Sequence, residues 1–294
     1  MAYTQNPHMP KVRRDAAAMV HRGFSATEVG RRYGVGSSTI CKWVKRAQNI
    51  GLHPIPTLSS QPKHHPKQLS NELVWNIFHK RMLTKRCAEV VHQELLNEGV
   101  KTSLSSVKRT LERTGLINKR SPYKRYHPHQ ERPHAVEPGA LVEMDTIHLM
   151  IGEKKRIYVY TLIDVHSRWV HARAYEKIGG RSSLEFVEEA QRKAPFTFDM
   201  LQSDHGPEFG DWFVEQVKKK HRYTRIGKPN DNAHIERFNR TLQEECLDQT
   251  ERTTLSLNRA LKKYLRHYNH KRLHLGIALQ TPMQLLTNCV QAID

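Results

Sequence analysis

Long apolar runs are absent from this sequence of 294 residues. No stretch approaches the about 18 consecutive apolar residues of a membrane-spanning helix, and the N-terminal segment MAYTQNPHMPKVRR lacks the apolar centre of a secretory signal peptide. We therefore expect a soluble, cytoplasmic protein without a membrane partner. The apolar and aromatic fraction of 37% is low, but it suffices for small folded domains joined by polar segments.

Cysteine is also scarce. The four cysteines, Cys41, Cys87, Cys246 and Cys289, are widely spaced and form no C-x-x-C pair. This spacing gives no sign of a disulfide framework or of a thiolate zinc site. We expect all four to be ordinary buried thiols.

Acidic residues are scarce in the first half of the chain. Residues 1–136 contain 24 Lys and Arg against 8 Asp and Glu, whereas residues 137–294 contain 24 against 21. Most of the net charge of +19 therefore lies in the first half. Such a surplus indicates a polyanionic partner; nucleic acid is the commonest, and a membrane surface is the alternative.

Residues 1–56 carry the pattern of a helix-turn-helix module, with three short helices between residues 10 and 48. Ser25 and Glu28 form a capping box, and the GVG sequence at 34–36 ends the second helix. We expect Ser37 or Ser38 to cap the third helix. Its free face would enter the major groove of double-stranded DNA, the alternative being an interaction module with a solvated basic face. The candidate DNA-binding residues on this face are Ser38, Thr39, Lys42, Lys45 and Arg46.

A second helical module is predicted at 70–118, after a proline-containing linker at 57–69. It repeats the three-helix plan of the first module, and a basic, proline-rich linker at 119–138 follows it. Cations in this region are candidates for phosphate contacts or, alternatively, ordinary solvated charges. These residues are Lys108, Arg109, Arg113, Lys124 and Arg125.

From residue 139 the hydrophobic period changes from helical to strand-like. Residues 140–150, 156–166 and 168–176 predict an antiparallel meander of three strands. The complete order over 139–250 is βββαβαβα, which is typical of a mixed sheet flanked by helices. Residues 251–294 predict a helical extension, and we expect Trp169 and Trp212 to lie in the core.

Three carboxylates occupy notable positions in this region. Asp145 lies within the first strand, on the same face as Glu143, and Asp204 lies at the C-terminal end of the fourth strand. Glu236 falls in the first turn of a helix with an apolar stripe. Each alone is explained as a cap or a surface charge. Brought together they would need cations between them, and an oxygen-only site favours Mg²⁺ or Mn²⁺, with two ions suited to in-line phosphoryl transfer.

Four segments carry a family resemblance: MDTI, SDHGPEF, KPNDNAHIERFNRTLQEECL and YNHKRLHLGIALQTPMQLL. They resemble the DDE transposases of bacterial insertion sequences, which share the retroviral-integrase catalytic core. The resemblance implies an α+β multidomain protein, in which two all-α helix-turn-helix modules precede a ribonuclease-H-like α/β core and a short C-terminal helical extension. It also implies Asp145, Asp204 and Glu236 as catalytic, metal-binding residues.

The implied chemistry is cleavage of a DNA strand at an element end, followed by attack of the freed 3′-hydroxyl on target DNA. The implied setting is a homo-oligomer on DNA at the bacterial nucleoid. Arg240, a neighbour of Glu236, is a further candidate for a phosphate contact or, alternatively, an ordinary surface cation. The sequence departs from the family in having His205 after Asp204 and only 31 residues between Asp204 and Glu236. These departures favour one alternative, a sequence-specific DNA-binding protein whose core is inactive. A second alternative is a structure-selective nuclease that uses the same core.

Overall fold

The computed structural model describes residues 6–51, 53–58, 68–117, 134–152, 155–227 and 229–291. The chain forms two compact units, Met1–Leu69 and Ser70–Asp294. Most of the two predicted linkers, including Lys124 and Arg125, lies outside the described residues. None of the described helices is long and apolar enough to span a bilayer.

The first unit contains the three predicted helices: α1 (Met9–His21), α2 (Ala26–Tyr33) and α3 (Ser37–Ala47). The capping box at the start of α2 is confirmed, because Ser25 Oγ accepts from the Glu28 amide and the Glu28 carboxylate accepts from the Ser25 amide. Gly30 permits a close turn between α2 and α3, since a Cβ there would lie 2.7 Å from the Val35 carbonyl oxygen.

The start of α3 differs from the prediction. Neither Ser37 nor Ser38 caps the helix; the extended Gly36 precedes it without a side-chain hydrogen bond, and both serines lie inside the first turn. One side of α3 is apolar, with Ile40 and Trp43 buried in the core of the first unit. Its opposite side carries polar and basic residues.

The second unit begins with α4 (Asn71–Thr84), α5 (Ala88–Asn97) and α6 (Leu104–Arg113). Ser70 and Ser103 cap α4 and α6 through their side-chain oxygens. Val107 and Leu111 of α6 are fully buried, as the helical spacing predicts. The three-helix plan of the first module is therefore repeated.

A five-stranded sheet forms the centre of the second unit. Its strands are β1 (Val142–Ile151), β2 (Lys155–Asp164), β3 (Val170–Tyr175), β4 (Met200–Ser203) and β5 (Lys220–Tyr223), in the spatial order β3-β2-β1-β4-β5. The predicted antiparallel meander of β1–β3 is confirmed. Strand β4 pairs parallel with β1, and β5 pairs parallel with β4.

Helices cover both faces of this sheet. One face packs against α7 (Gly180–Lys193) and α8 (Asp211–Gln216). The other packs against α9 (Ala233–Glu245) and α10 (Thr254–His270), so α10 shares the hydrophobic core of the sheet. The last helix, α11 (Pro282–Gln291), begins after Thr281, whose Oγ1 accepts from the Gln284 amide. The helical extension predicted for residues 251–294 is therefore confirmed over the described residues.

Two burial predictions are wrong. Trp169 is buried, but Trp212 is 47% exposed, because α8 turns Phe213 into the core and leaves Trp212 lying over Gly180 at the start of α7. Cys41 is exposed, because it lies on the side of α3 opposite Ile40 and Trp43, and only Cys246 of the four free cysteines is buried.

Candidate active site

The three carboxylates singled out in the sequence line one cavity of about 500 Å³. Asp145 lies on β1, Asp204 directly follows β4, and Glu236 lies in the first turn of α9. Strands β1 and β4 are parallel neighbours, and their register pairs Glu143 with Gln202. Extending that register by two residues brings Asp145 beside Asp204. The sheet topology therefore explains why residues distant in sequence share this cavity.

Asp145 is a largely buried carboxylate with a fixed orientation. Its Oδ1 accepts from the Thr146 amide at 2.8 Å, and its Oδ2 accepts from Asn239 Nδ2 at 2.8 Å. Burial raises the pKa of Asp145 to about 6, and the negative charges of Asp204 and Glu208 also raise it, against those hydrogen bonds. Negative charge is therefore concentrated where it is poorly hydrated.

The loop after β4 brings a further carboxylate to this cluster. Asp204 Oδ1 accepts from the Gly206 amide at 3.0 Å. A Cβ on Gly206 would lie 2.6 Å from Glu208 Oε2 and 3.0 Å from Asp204 Oδ1, so glycine leaves the space these two side chains occupy. Glu208 is only 6% exposed. The sequence argument missed it, although it lies within the segment SDHGPEF.

Helix α9 is attached to β1 by two hydrogen bonds. Asn232 precedes the helix without forming a side-chain capping hydrogen bond. Instead, the fully buried Glu143 accepts from the Ile235 amide at 2.8 Å, and Asn239 donates to Asp145. Burial raises the pKa of Glu143 to about 7. These contacts set the position of the helix that carries Glu236.

The donor set suits a hard divalent cation. Asp145, Asp204 and Glu236 offer only carboxylate oxygens, and a cation would offset both the burial and, next, the repulsion from Asp204 that raise the pKa of Asp145. Glu236 is exposed at the rim of the cavity. Across the described residues, no three His, Cys, Asp or Glu side chains are gathered into a metal-binding group. The three carboxylates therefore suit a hard cation by their donor chemistry but are not drawn together around one position, and Glu236 lies at the periphery.

The candidate DNA-binding residues of α3 lie on its polar side. Ser38, Lys42 and Lys45 are exposed, whereas Thr39 and Arg46 are half-buried. Arg46 donates to the backbone carbonyl of Pro56. The exposed lysines are thus the less constrained cations of this face.

Candidates in the second unit are divided between exposed and paired side chains. Lys108 forms an ion pair with Glu89 at 2.7 Å, whereas Arg109 and Arg113 on α6 are exposed. Arg240 is exposed on α9 but does not line the carboxylate cavity. Their contact with DNA stays a prediction.

Comparison with known families identifies the domains. Two models described as integrase core domain match residues 135–229 and 217–282, and a homeodomain-like domain model matches residues 10–56. This chain belongs to the integrase-core family. The integrase-core matches together extend from the segment before β1 to the start of α11, so they include all three candidate carboxylates and α10.

Two curated relatives of this integrase-core protein belong to insertion elements. It is 24% identical over 266 residues to the insertion element IS407 uncharacterized 31.7 kDa protein of Burkholderia multivorans, covering 87% of this chain and 92% of that protein. It is 25% identical over 242 residues to the transposase for insertion sequence element IS904 of Lactococcus lactis, covering 74% and 92%. The resemblance to DDE-type insertion-sequence transposases is confirmed.

A solved structure similar to this integrase-core protein is the simian T-cell lymphotropic virus intasome in complex with PP2A regulatory subunit B56 gamma. The similarity has a TM-score of 0.47 at 15% identity, and it covers 71% of this chain and 73% of that chain.

Proposed function

We propose that this integrase-core protein is a DNA transposase that binds element ends, cleaves a strand there and transfers the freed 3′-hydroxyl into target DNA. The observation that carries the proposal is that Asp145 on β1 and Asp204, directly after the parallel neighbour β4, line one cavity with Glu236 on its rim. The homeodomain-like match at residues 10–56 adds a module suited to duplex recognition.

We assign Asp145, Asp204 and Glu236 as ligands of Mg²⁺ or Mn²⁺, and we propose that two ions bind there. Metal ions bound there would stabilise the charge that develops on the entering and leaving oxygens of a phosphoryl transfer. The chain itself supplies orientation: Asn239 and the Thr146 amide fix the Asp145 carboxylate, and Glu143 holds the start of α9.

Both chemical steps are displacements at phosphorus. In the first, a water oxygen bonds to the phosphorus and the P–O bond to the 3′-oxygen breaks, which leaves a free 3′-hydroxyl. In the second, that hydroxyl bonds to a target phosphorus and the target's own 3′-oxygen leaves. Each step exchanges one P–O bond for another, so positioning and charge stabilisation are the main requirements on the protein.

The exposed face of α3 would supply recognition of the element ends. Ser38, Lys42 and Lys45 are exposed on this face, and the second unit has exposed cations of its own on α6 and α9. Joining two ends requires that more than one copy act together, so we infer a homo-oligomer on DNA. We also infer that it acts in the bacterial cytoplasm, at the nucleoid, where its DNA substrate lies.

The test uses duplexes that carry the DNA flanking the coding region, with Mg²⁺ or Mn²⁺. Asp204→Asn should abolish strand cleavage and strand transfer while leaving binding of the duplex intact. The matched control is Asp211→Asn, which removes an exposed carboxylate outside the cavity and should retain both activities. Strand transfer by Asp204→Asn would refute the site. Binding without cleavage by the wild type would favour an inactive core, and cleavage without transfer would favour a nuclease.

A further inference from the structure

A second cavity lies on the other flank of α9. It measures about 530 Å³ and is formed by the α4–α5 connection, one side of α9 and the segment that follows α10. Five cationic side chains line it, and we call it the arginine cavity: Lys85, Arg86, Arg168, Arg237 and Arg272. All of them belong to the second unit.

Among the side chains that line the arginine cavity, cations outnumber carboxylates. The cavity contains two carboxylates, Glu244 and Glu245, against the five cations. Glu245 is shared: its Oε1 lies 2.7 Å from Arg272 Nη2 and 3.7 Å from Arg86 Nη1. Burial, and next the positive charge of Arg272, lower the pKa of the Arg86 guanidinium. An additional anion would relieve this repulsion.

The floor of the cavity is aromatic and uncharged. The Tyr268 and His274 rings lie 4.6 Å apart, and Arg272 lies over the Tyr268 ring at 5.3 Å. Burial lowers the pKa of His274 to about 3, so its ring is neutral at pH 7 and its buried Nε2 has no hydrogen-bond partner. Guanidinium groups match the oxygens of a phosphate group, because they donate parallel hydrogen bonds to them.

Helix α9 separates the two cavities. Asn232 and Glu236 line the carboxylate cavity, whereas Ala233, Arg237 and Thr241 line the arginine cavity. A helix with its side chains is about 10–12 Å wide, and a DNA strand advances about 3.4 Å per nucleotide. Since this advance is measured along the duplex axis, a duplex whose axis crosses α9 spans the helix with about three nucleotides of each strand.

We propose that the arginine cavity binds a backbone phosphate of the DNA strand, about three nucleotides from the bond held at the carboxylate cavity. This inference rests on the proposed function and adds to it a phosphate site outside the helix-turn-helix modules. Arg237 and Lys85, which are both exposed, would make the first contact. Arg86 and Arg272 lie deeper and are positioned by Glu245.

The experiment replaces single phosphates by uncharged methylphosphonates in duplexes that carry the DNA flanking the coding region. Each duplex is titrated with full-length protein by fluorescence anisotropy, and the cleaved bond is located in parallel with Mg²⁺. One or two adjacent replacements about three nucleotides from that bond should weaken wild-type binding about tenfold, as expected for a charged hydrogen bond. Arg237→Gln should weaken binding of the unmodified duplex similarly and lose sensitivity to those replacements.

Two further variants keep the result interpretable. Lys85→Asn, on a different element and tolerant of the left-handed backbone at that position, should reduce the same sensitivity. Arg259→Gln removes an exposed cation of α10 outside the cavity and should retain it. Equal sensitivity in wild type, Arg237→Gln and Lys85→Asn would overturn the inference even if cleavage is normal. Absence of cleavage by the wild type would instead count against the proposed function.

Discussion

At the scale of single residues, Glu143 replaces the missing cap of α9. A buried carboxylate without compensation is costly, yet Glu143 is completely buried and only one of its oxygens has a hydrogen-bond partner. Its acceptance from the Ile235 amide satisfies a donor that Asn232 leaves open. Because Glu143 is two residues from Asp145, the contact links the strand of one proposed ligand to the helix of another.

Substitution of Glu143 should separate hydrogen bonding from charge. Glu143→Ala leaves the buried Ile235 amide without an acceptor and should lower the free energy of unfolding by about 1–3 kcal/mol. Glu143→Gln keeps an acceptor oxygen, and it should cost less because the raised pKa of about 7 already makes the neutral form accessible. Denaturant unfolding measures both, and equal losses in the two variants would contradict the capping role.

At the scale of helices and strands, the sequence predicts which face of an element is buried wherever the spacing of its apolar residues is regular. The apolar stripe of α9 and the meander of β1–β3 depend on local spacing, and both are confirmed. Contacts such as Glu143 with Ile235, 92 residues apart, depend on the sheet order and have no local signal. Trp212 shows the same limit, because its exposure depends on how the short α8 packs beside α7.

The capping box of α2 yields a prediction at the scale of an element. Ser25→Ala should destabilise α2 by about 0.5–2 kcal/mol, since the Glu28 amide loses its acceptor. Hydrogen exchange of the full chain should show faster exchange of α2 amides and unchanged exchange of α10 amides, which belong to the other unit. The matched control Thr27→Ala changes an exposed residue of α2 that does not cap it. Equal acceleration by both variants would contradict the cap.

At the scale of the whole molecule, acid pH should lower the stability of the fold by protonating histidines that are buried in the neutral form. Burial lowers the pKa of His171 to about 4, and its Nε2 has no hydrogen-bond partner although Glu189 Oε1 lies 3.4 Å away. An unfolded histidine has a pKa near ~6.5. The stability contributed by neutral His171 is therefore complete above pH ~6.5 and is lost as pH falls toward 4.

Comparison of His171→Gln with the wild type isolates the effect of His171 on stability. The buried carboxylates Glu143 and Asp145 change stability with pH in the opposite direction, because their pKa values are raised, but they are present in both proteins. The stability difference between the two proteins should shrink by about 1.4 kcal/mol per pH unit below pH ~6.5. Denaturant unfolding at several pH values measures it, with the exposed His270→Gln as control. A difference independent of pH would contradict a neutral His171.

The surplus of basic residues in the first 136 positions predicts a strong dependence of DNA binding on salt. Each phosphate contact contributes about −0.9 to the slope of log K against log salt concentration. Lys42→Gln and Lys45→Gln should each reduce that slope by about one, because both lysines are exposed on the polar side of α3. Arg46→Gln should reduce it less, since Arg46 already donates to the Pro56 carbonyl. Titrations at several salt concentrations measure the slopes. Equal slopes in Lys42→Gln, Lys45→Gln and the wild type would place the DNA on another surface, because neutralising a cation that contacts a phosphate must release fewer counterions.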